Sequence, residues 1–438
     1  MSALAISCHC GSVKQTVRFR AQSSNTSRKI DLCHCASCRH NTGLLCVSYA
    51  DIEPPGLTEE LQEYGSSTGG TIRLFCRTCG CHVFRSVQRA VNRGNRIEPE
   101  NDATPPIESD PWGVATGITI GSSGETLGPQ KSSEEDTKMQ SCYLRHNHTI
   151  STKDGGLSLF IRGLSHQSDL KGSLFNKEGR GGGEVLNAHC HCGTVRFHIT
   201  RPNEASKLPR SNFPDLMMPY HTGNSEIQNP RDEKWWLRPA LNLRAERSGP
   251  ASPEKDRPGR YLAGTCACRS CRLTSGFEIQ TWAFVPRANI FFHINRAQSP
   301  TLPSHSQSQP VEDHDKATTD IVPLDFATLP PNILASYEST AGIRREFCSC
   351  CGATVFWRDK WRPELLDVSV GLLDAEEGAR AETWLDWWTA RVSFIEDAER
   401  GRKGETATLA ACLINGLQEG LRKWGEDGKD HPIPTSHS

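Results

Sequence analysis

The cysteines of this chain occur in one order that is then repeated. Cys-x-Cys-Gly comes first, Cys-x-Cys-x-x-Cys second, and Cys-x-x-Cys-Gly preceded by Phe third. The first occurrence uses Cys8, Cys10, Cys33, Cys35, Cys38, Cys76 and Cys79, and the second uses Cys190, Cys192, Cys266, Cys268, Cys271, Cys348 and Cys351. Cysteines clustered at such spacings are typical of zinc sites. The repeat therefore predicts two zinc-binding domains in tandem.

The number and placement of the cysteines favour metal binding over disulfides. The chain has 19 cysteines, an odd number that a fully paired disulfide framework does not accommodate. The N-terminal residues lack the basic region and the apolar run of a signal peptide, and they lead directly into the first cysteine motif. We therefore expect a cytoplasmic or nuclear protein, where thiols stay reduced.

Charge and hydropathy narrow the classes of partner. Lys plus Arg number 50 and Asp plus Glu number 51, which gives a net charge of −1. This balance gives no electrostatic reason to expect nucleic acid or an anionic membrane as the main partner. No apolar run approaches the roughly 18 residues that a membrane span requires. The hydrophobic content of 36% and the mean hydropathy of −0.53 indicate that part of the chain forms loops.

The motifs divide the chain into segments. We predict a first domain at 1–164, a Gly-rich linker at 165–186, a second domain at 187–400, and a C-terminal helix and tail at 401–438. Polar stretches near 202–260 and 298–319 lengthen the second domain and are interpreted as mobile surface insertions, and a further stretch near 121–138 interrupts the first. The helix is expected at about 406–424, where a leucine recurs every four residues: Leu409, Leu413, Leu417 and Leu421.

Short alternating apolar runs follow the cysteine motifs and predict a mainly β fold. Val13, Val17 and Phe19 share one face of a strand in the first domain, and their counterparts in the second domain are Val195, Phe197 and Ile199. Gly-containing turns separate further runs of this kind. We therefore expect small antiparallel sheets with little internal helix.

Two pairs of cysteines in each domain can form a closed zinc site. Cys8, Cys10, Cys76 and Cys79 supply four thiolates in the first domain, as do Cys190, Cys192, Cys348 and Cys351 in the second. Gly80 and Gly352 follow the last ligands and can adopt the left-handed conformation that such a turn needs. A closed site joins strands that are far apart in sequence and stabilises the fold directly.

The middle motif supplies only three thiolates. Three protein ligands and one open position are the pattern of a reactive zinc site, where a substrate thiol can bind as thiolate. The candidate ligands are Cys33, Cys35 and Cys38 in the first domain and Cys266, Cys268 and Cys271 in the second. The alternative is a fourth protein ligand in the first domain: His34, His40 or Cys46. The second domain has no candidate at matching positions.

Residues that flank the ligands have several interpretations. Arg39 and Arg272 directly follow the third thiolate and either offset the charge of the site, bind a substrate carboxylate, or are plain surface charges. His9 and His191 each lie between two ligands and are expected to face solvent. Five cysteines have no counterpart in the other domain and are expected to be ordinary thiols: Cys46, Cys81, Cys142, Cys350 and Cys412.

These motifs resemble those of the glutathione-dependent formaldehyde-activating enzyme family, also described as the CENP-V/GFA domain. In the first domain the matching segments begin at Cys8, Cys33 and Phe75. In the second, 266–286 is similar to the middle motif and 387–394 to the end of such domains. The resemblance covers about 1–164 and 187–400.

The resemblance implies an Mss4-like fold of small antiparallel sheets with two Zn²⁺ ions per domain. It also implies a carbon–sulfur lyase-type activity that joins glutathione to formaldehyde as S-hydroxymethylglutathione, so the expected partners are glutathione or a related small thiol and a small aldehyde. The family's catalytic zinc ligands fall on Cys33, Cys35, Cys38, Cys266, Cys268 and Cys271, and its structural ligands fall on the two sets of four. Arg39 and Arg272 are the first candidates to bind the carboxylates of glutathione.

Two other functions are compatible with the sequence. A zinc-stapled binding module, acting as a protein or chromatin adaptor, would have closed sites and an exposed apolar or basic patch. A redox enzyme similar to methionine sulfoxide reductase would need a reactive cysteine outside the zinc sites, and no unmatched cysteine recurs in both domains. The sequence favours the enzyme that handles glutathione adducts, with the adaptor as the alternative.

Overall fold

The computed structural model describes residues 3–20, 30–65, 70–87, 111–121, 143–161, 165–166, 183–219, 228–239, 259–295 and 319–426. We call the described residues up to 166 the first half and those from 183 the second half. The stretch near 121–138, most of the linker at 165–186, parts of both insertions, Cys142 and the tail beyond 426 lie outside the described residues.

The first half forms a three-stranded sheet and an eight-stranded sheet. Its strands are β1 (Ala3–Ser7), β2 (Lys14–Arg18), β3 (Ile30–Cys33), β4 (Val47–Ile52), β5 (Leu61–Gly65), β6 (Thr71–Cys76), β7 (His82–Val87), β8 (Trp112–Ala115), β9 (Thr119–Gly121), β10 (Tyr143–Asn147) and β11 (Ser165–His166). The small sheet has the order β2-β1-β9, and the large one has the order β11-β10-β3-β4-β8-β7-β6-β5.

The second half also has a small sheet and a large one. Its strands are β12 (Val185–His189), β13 (Arg196–Thr200), β14 (Leu237–Arg238), β15 (Arg260–Cys266), β16 (Gln280–Pro286), β17 (Ile290–Asn295), β18 (Thr319–Pro323), β19 (Leu334–Thr340), β20 (Ile343–Cys348), β21 (Thr354–Asp359), β22 (Leu365–Ser369) and β23 (Leu385–Trp387). The small sheet has the order β12-β13-β17-β18, and the large one runs β14-β15-β16-β22-β21-β20-β19, with β23 on β15.

The two halves share one arrangement of strands. The order β3-β4-β8-β7-β6-β5 corresponds to β15-β16-β22-β21-β20-β19. Registers correspond as well, because Tyr49 pairs with Ala115 where Trp282 pairs with Ser369. In each half one further strand pairs in parallel with the first strand of this series: β10 pairs with β3, and β23 pairs with β15. The predicted mainly β fold of small sheets is confirmed.

Two short helices carry the middle cysteine motif. They are α1 (Ala36–Thr42) and α2 (Arg269–Ser275), and each begins after a cysteine whose sulfur accepts a hydrogen bond from a backbone amide in the first turn of the helix. Each ends at a glycine in the left-handed conformation, Gly43 with φ of 80° and Gly276 with φ of 94°. The motif therefore folds as a strand end, a cap and a short helix.

The predicted C-terminal helix is present as α3 (Gly404–Glu426). Its leucines 409, 413, 417 and 421 are buried, so the amphipathic stripe packs within the chain. Gly420 lies against the backbone of Phe160, and the ring of Trp424 meets that of Phe160 at 5.2 Å between centroids. Among the described residues, no helix combines the length and apolar character that a membrane crossing requires.

The halves meet backbone to backbone at a seam. The amide of Gly117 donates to the carbonyl of Gly276 at 2.9 Å, and the amide of Gly371 donates to the carbonyl of Gly43 at the same distance. A Cβ at Gly117 would lie 2.6 Å from Gly276, and one at Gly371 would lie 2.3 Å from Gly43. Only glycine permits this approach.

The described parts of the first insertion, 201–219 and 228–239, are packed against the second half. Leu216, Met217, Trp235 and Trp236 are buried and form a cluster with Phe284. These four side chains are buried although the insertion is expected at the surface, because two adjacent tryptophans bury large apolar areas there. The insertion thus builds one wall of the site described below.

Candidate metal centres

The structure brings each predicted set of four cysteines together. The sulfurs of Cys8 and Cys10 are 3.4 Å apart, and that of Cys10 is 3.5 Å from that of Cys76. In the second half, Cys190 and Cys192 are 3.3 Å apart, and all four ligand atoms of each set lie within 4.8 Å of one another. A tetrahedron of sulfurs at Zn–S distances of about 2.3 Å has edges of about 3.8 Å, so both groups fit Zn²⁺.

The turn after the third motif has the predicted geometry. Gly80 has a φ of +74° and Gly352 a φ of +76°. A Cβ on either glycine would also lie 2.6 Å from a phenylalanine ring of the other half, Phe347 for Gly80 and Phe75 for Gly352. Each of these glycines is therefore needed twice: for the turn that follows the cysteine pair, and for the close contact between the halves.

The middle motifs form two groups of three sulfurs. Cys33 lies 3.5 Å from Cys35 and 3.7 Å from Cys38, and the matching pair in the second half, Cys266 and Cys271, is 3.8 Å apart. These separations also fit sulfurs on Zn²⁺. Within the described residues, neither group gains a fourth Cys, His, Asp or Glu.

The three residues considered as a fourth ligand in the first half lie elsewhere. The Nε2 of His34 contacts Nδ1 of His146 at 2.9 Å, and the Nε2 of His40 contacts Asp374 at 3.3 Å. Cys46 is buried but is not among the ligand atoms of the group. The geometry therefore favours three protein ligands and one open position.

An arginine that the sequence analysis missed lies against each three-sulfur group. Arg345 donates to the sulfur of Cys271 at 3.3 Å, and Arg73 donates to that of Cys38 at 3.5 Å. Burial alone would lower the pKa of Arg345, but Cys271 and Cys268 raise it above its usual value. The sequence does indicate these two residues, because both arginines lie three residues before the first cysteine of the third motif.

Arg39 and Arg272 occupy a different place from the one expected. Both are buried at the seam, where Arg39 donates to the carbonyls of Gly371 and Leu373 at 3.3 and 3.4 Å. Arg272 donates to the carbonyl of Gly117. The expectation that they bind substrate carboxylates is corrected, because their guanidinium groups point from α1 and α2 into the opposite half.

His9 and His191 also connect the halves instead of facing solvent. The Nδ1 of His9 contacts the hydroxyl of Tyr337 at 2.8 Å, and its Nε2 contacts Ser270 at 3.1 Å. His191 makes the equivalent contacts with Tyr64 and Ser37 at 2.6 and 3.1 Å. Burial lowers the pKa of His9 to about 4, so this bridge is uncharged at neutral pH.

A cavity of about 780 Å³ opens beside Cys266, Cys268 and Cys271. Arg345, Arg362 and Asp367 also line it. Aromatic side chains make up much of its wall, among them Phe213, Trp235, Trp282, Phe284, Trp357 and Phe394. A concave space that combines aromatic side chains with convergent polar groups is a usual form of a small-molecule site.

The first half carries different residues at the matching strand positions. Tyr49 corresponds to Trp282 and Asp51 to Phe284 by the registers of β4 and β16, and Gly113 corresponds to Asp367. Burial raises the pKa of Asp367 to about 6, against the opposing effect of Arg362 at 2.8 Å. The surroundings of the two three-sulfur groups have therefore diverged.

The unmatched cysteines do not form a further reactive centre in the described residues. Cys46, Cys81 and Cys412 are buried, and burial raises the pKa of Cys46 and of Cys81 above the usual range. Cys350 is exposed beside the second four-sulfur group. Thiols with raised pKa are poor nucleophiles, which disfavours the sulfoxide reductase alternative.

Comparison with known proteins gives one family. The family model described as glutathione-dependent formaldehyde-activating enzyme matches residues 3–97. That match spans all three cysteine motifs of the first half and ends before the second. No curated protein and no solved structure gives a significant match to this chain. Residues 3–97 are therefore similar to the glutathione-dependent formaldehyde-activating enzyme family.

Proposed function

We propose that this chain is a zinc-dependent carbon–sulfur lyase-type enzyme that handles adducts of a small thiol, such as glutathione, with a small aldehyde. The observation that carries the proposal is the group of Cys266, Cys268 and Cys271, which has three sulfurs and no fourth described ligand beside a cavity of about 780 Å³. The family match of the first half supports the zinc and glutathione chemistry, and the equivalent strand order extends it to the second half.

Each residue of the cavity has a proposed role. Cys266, Cys268 and Cys271 would hold Zn²⁺, which supplies a positive charge that keeps a bound thiol deprotonated. Arg345 lies against Cys271 and offsets the negative charge that thiolates accumulate there. The aromatic side chains of the wall offer an apolar surface beside the sulfurs. Arg210 and Arg362, which line the cavity, replace Arg39 and Arg272 as candidate partners for the substrate carboxylates.

The proposed reaction forms one carbon–sulfur bond. The thiolate sulfur attacks the carbonyl carbon of the aldehyde, the carbon–oxygen double bond becomes single, and the oxygen takes a proton to give a hydroxyalkyl thioether. Lysis is the reverse. We assign the proton transfer to Asp367, because its carboxyl lines the cavity and holds a proton up to a pH of about 6.

The chain's thiol state agrees with the compartment that we propose. No disulfide joins the described cysteines, which suits a reducing environment such as the cytoplasm or nucleus. Four Zn²⁺ ions per chain are proposed, two in each half, at the two four-sulfur and the two three-sulfur groups.

A cobalt-substituted sample tests the proposal, because the absorption of Co²⁺ reports thiolate number and geometry. Glutathione titration of the full chain is expected to change the spectrum by adding one thiolate to a three-sulfur site. Cys268→Ser should remove the part of that change due to the second half, and the matched substitution Cys35→Ser should leave that part in place. Formaldehyde consumption is then measured with glutathione. If glutathione leaves the spectrum unchanged, the enzyme proposal is wrong, and the zinc-stapled adaptor becomes the favoured function.

A further inference from the structure

Three aromatic side chains pack directly against the three-sulfur group of the second half. Trp282 comes from β16, Trp357 comes from β21, and Phe394 follows β23 along the chain. All three also line the cavity, so its aromatic surface begins at the proposed metal ligands themselves. A group attached to the carbon that becomes bonded to a thiol sulfur at this site would therefore meet aromatic rings.

A second set of apolar side chains extends the cavity wall. Phe284 on β16 and Trp235 of the first insertion meet edge to face, with their ring centroids 4.9 Å apart. Phe213 and Leu216 of the same insertion also line the cavity. The insertion belongs to the second half, because its first two cysteine motifs are 73 residues apart, whereas those of the first half are 22 residues apart. The second half has therefore gained part of this wall.

The first half has polar or charged side chains at the matching strand positions. By the registers of the strands, Trp282, Phe284 and Trp357 correspond to Tyr49, Asp51 and Arg85. The guanidinium of Arg85 lies over the ring of Tyr49, 4.6 Å from its centroid, so a side chain of the protein itself occupies that ring face. The apolar surface beside the sulfurs is thus a property of the second half.

We propose that the second half acts on thiol adducts of aldehydes that carry a bulky apolar group, such as an aromatic ring. This inference rests on the proposed function and names the substrate class of its site. Formaldehyde brings one carbon and no side group, whereas the cavity of about 780 Å³ lies within the range of about 300–1,000 Å³ that encloses drug-sized ligands. An apolar group gains free energy when it leaves water for such a wall, and pairing of aromatic rings adds to that gain.

The covalent step is the same as the one proposed for formaldehyde. The thiol sulfur bonds to the carbonyl carbon, the carbon–oxygen double bond becomes single, and the oxygen takes the proton that the thiol releases. The reverse step returns thiol and aldehyde, and neither direction needs an oxidant or a reductant. The side group takes no part in these bond changes, so the aromatic wall selects the aldehyde and leaves the reaction unchanged.

Two non-reactive probes measure this preference in the full zinc-loaded chain. S-Methylglutathione carries one carbon on its sulfur, as the formaldehyde adduct does, and S-benzylglutathione carries an aromatic ring on that carbon. Calorimetric titration gives both affinities without any turnover. We expect the benzyl probe to bind about tenfold more tightly or better, because its ring leaves water for an aromatic wall.

Three variants assign the preference to the wall. Trp361 lines the cavity and is 66% exposed, so Trp361→Ala removes part of the wall without opening the core. Trp282→Tyr introduces the residue that the first half has at that position. Each is expected to reduce the ratio of the two affinities about threefold, through the loss of ring contacts. Ile321→Ala is the matched control, because Ile321 is an exposed apolar residue of β18 outside the cavity, and it should retain the wild-type ratio.

The outcomes separate this inference from the proposed function. Equal affinities for the two probes would overturn the apolar preference, as would a preference that both tryptophan variants leave unchanged. Enzyme-dependent consumption of formaldehyde and of phenylacetaldehyde is then compared in the presence of glutathione. Turnover of formaldehyde alone would also overturn the inference and would leave the proposed function standing. Turnover of neither aldehyde would overturn the proposed function itself, and this inference with it.

Discussion

The imidazole of His9 and the hydroxyl of Tyr337 are hydrogen-bonded at 2.8 Å, although the two residues are 328 positions apart in the chain. His9 lies between two ligands of the first four-sulfur group, and its other nitrogen contacts Ser270, which lies between two ligands of the second three-sulfur group. His191 makes the same connection in the opposite direction. Each proposed structural site is therefore joined to the reactive site of the other half.

The seam glycines give the first prediction. Gly371→Ala is expected to lower the free energy of unfolding by about 2 kcal/mol or more, because the new Cβ would lie 2.3 Å from Gly43 and the backbones must separate. Urea unfolding measures the change. Gly65→Ala is the control, since a Cβ at that position would have no neighbour within 4 Å, and an equal loss in both variants would contradict the proposed close approach.

Adjacent cysteines give the second prediction. Cys351→Ser should reduce the zinc content by one ion per chain and lower stability, because Cys351 is buried in the second four-sulfur group. Its neighbour Cys350 is exposed and outside that group, so Cys350→Ser should change neither zinc content nor the unfolding midpoint. Zinc analysis and thermal unfolding of the two variants provide the comparison. Loss of zinc from Cys350→Ser would show that the ligand set is assigned wrongly.

A buried ion pair near the seam gives the third prediction. Glu278 and Arg402 are 2.9 Å apart and both buried, and Arg402 also donates to the carbonyls of Thr116 and Gly117. Glu278→Gln should cost about 3–5 kcal/mol, since it leaves a buried guanidinium without its counter-charge. Glu426→Gln, in an exposed ion pair with Arg422, should cost less than about 0.5 kcal/mol.

The same pair predicts a direction of pH dependence. Burial raises the pKa of Glu278, but Arg402 outweighs this and holds it below the usual 4.5. The unfolded chain therefore binds the proton more readily than the folded one, so the stability from this group is present above pH 4.5 and is lost as the pH falls through the folded pKa. Unfolding curves of wild type and Glu278→Gln should converge at low pH.

Arg345 gives the fourth prediction. Arg345→Met should weaken the affinity of the cobalt-loaded chain for glutathione about tenfold, or about 1.4 kcal/mol, because a charge-assisted contact at Cys271 is lost while a further thiolate must be accommodated. The neighbouring Arg344→Met is the control, since that side chain pairs with Glu338 at the surface. Spectral titration gives both affinities. Equal affinities would remove Arg345 from the proposed charge balance.

Asp367 gives the fifth prediction. Its folded pKa of about 6 lies above the usual 3.8, so the folded state binds the proton more tightly than the unfolded state. The contribution of this group to stability is full below pH 3.8 and is lost as the pH rises through about 6, with a magnitude of about 3 kcal/mol. Asp367→Asn should remove this trend, and the difference in unfolding free energy from wild type should grow as the pH rises through that range. A constant difference would contradict the raised pKa.

The spacing of the cysteines predicted which sulfurs lie together, because two cysteines separated by one or two residues can face one ion. Local alternation likewise predicted the strands, as Phe197 and Ile199 are buried on β13. The leucine spacing predicted α3 for the same reason, since a face of a helix is a local property. The aligned arginines Arg73 and Arg345 could have been found by comparing the two halves.

Contacts between the halves were not predictable from such patterns. Arg39 and His9 looked like surface groups, because nothing near them in sequence shows that another half covers them. Trp235 lies in a polar, Pro-rich insertion, and its place in the cavity wall depends on how that segment folds back on β16. The seam is a tertiary property that only the structure displays.

The seam has one further consequence. A homodimer with two-fold symmetry carries every residue of its interface twice, so neither side can change alone. Here both sides belong to one polypeptide, and the second half has Trp282, Phe284 and Asp367 where the first half has Tyr49, Asp51 and Gly113. Because the two halves are covalently joined, they stay together at any dilution. Each half can therefore acquire substitutions that the other half does not share.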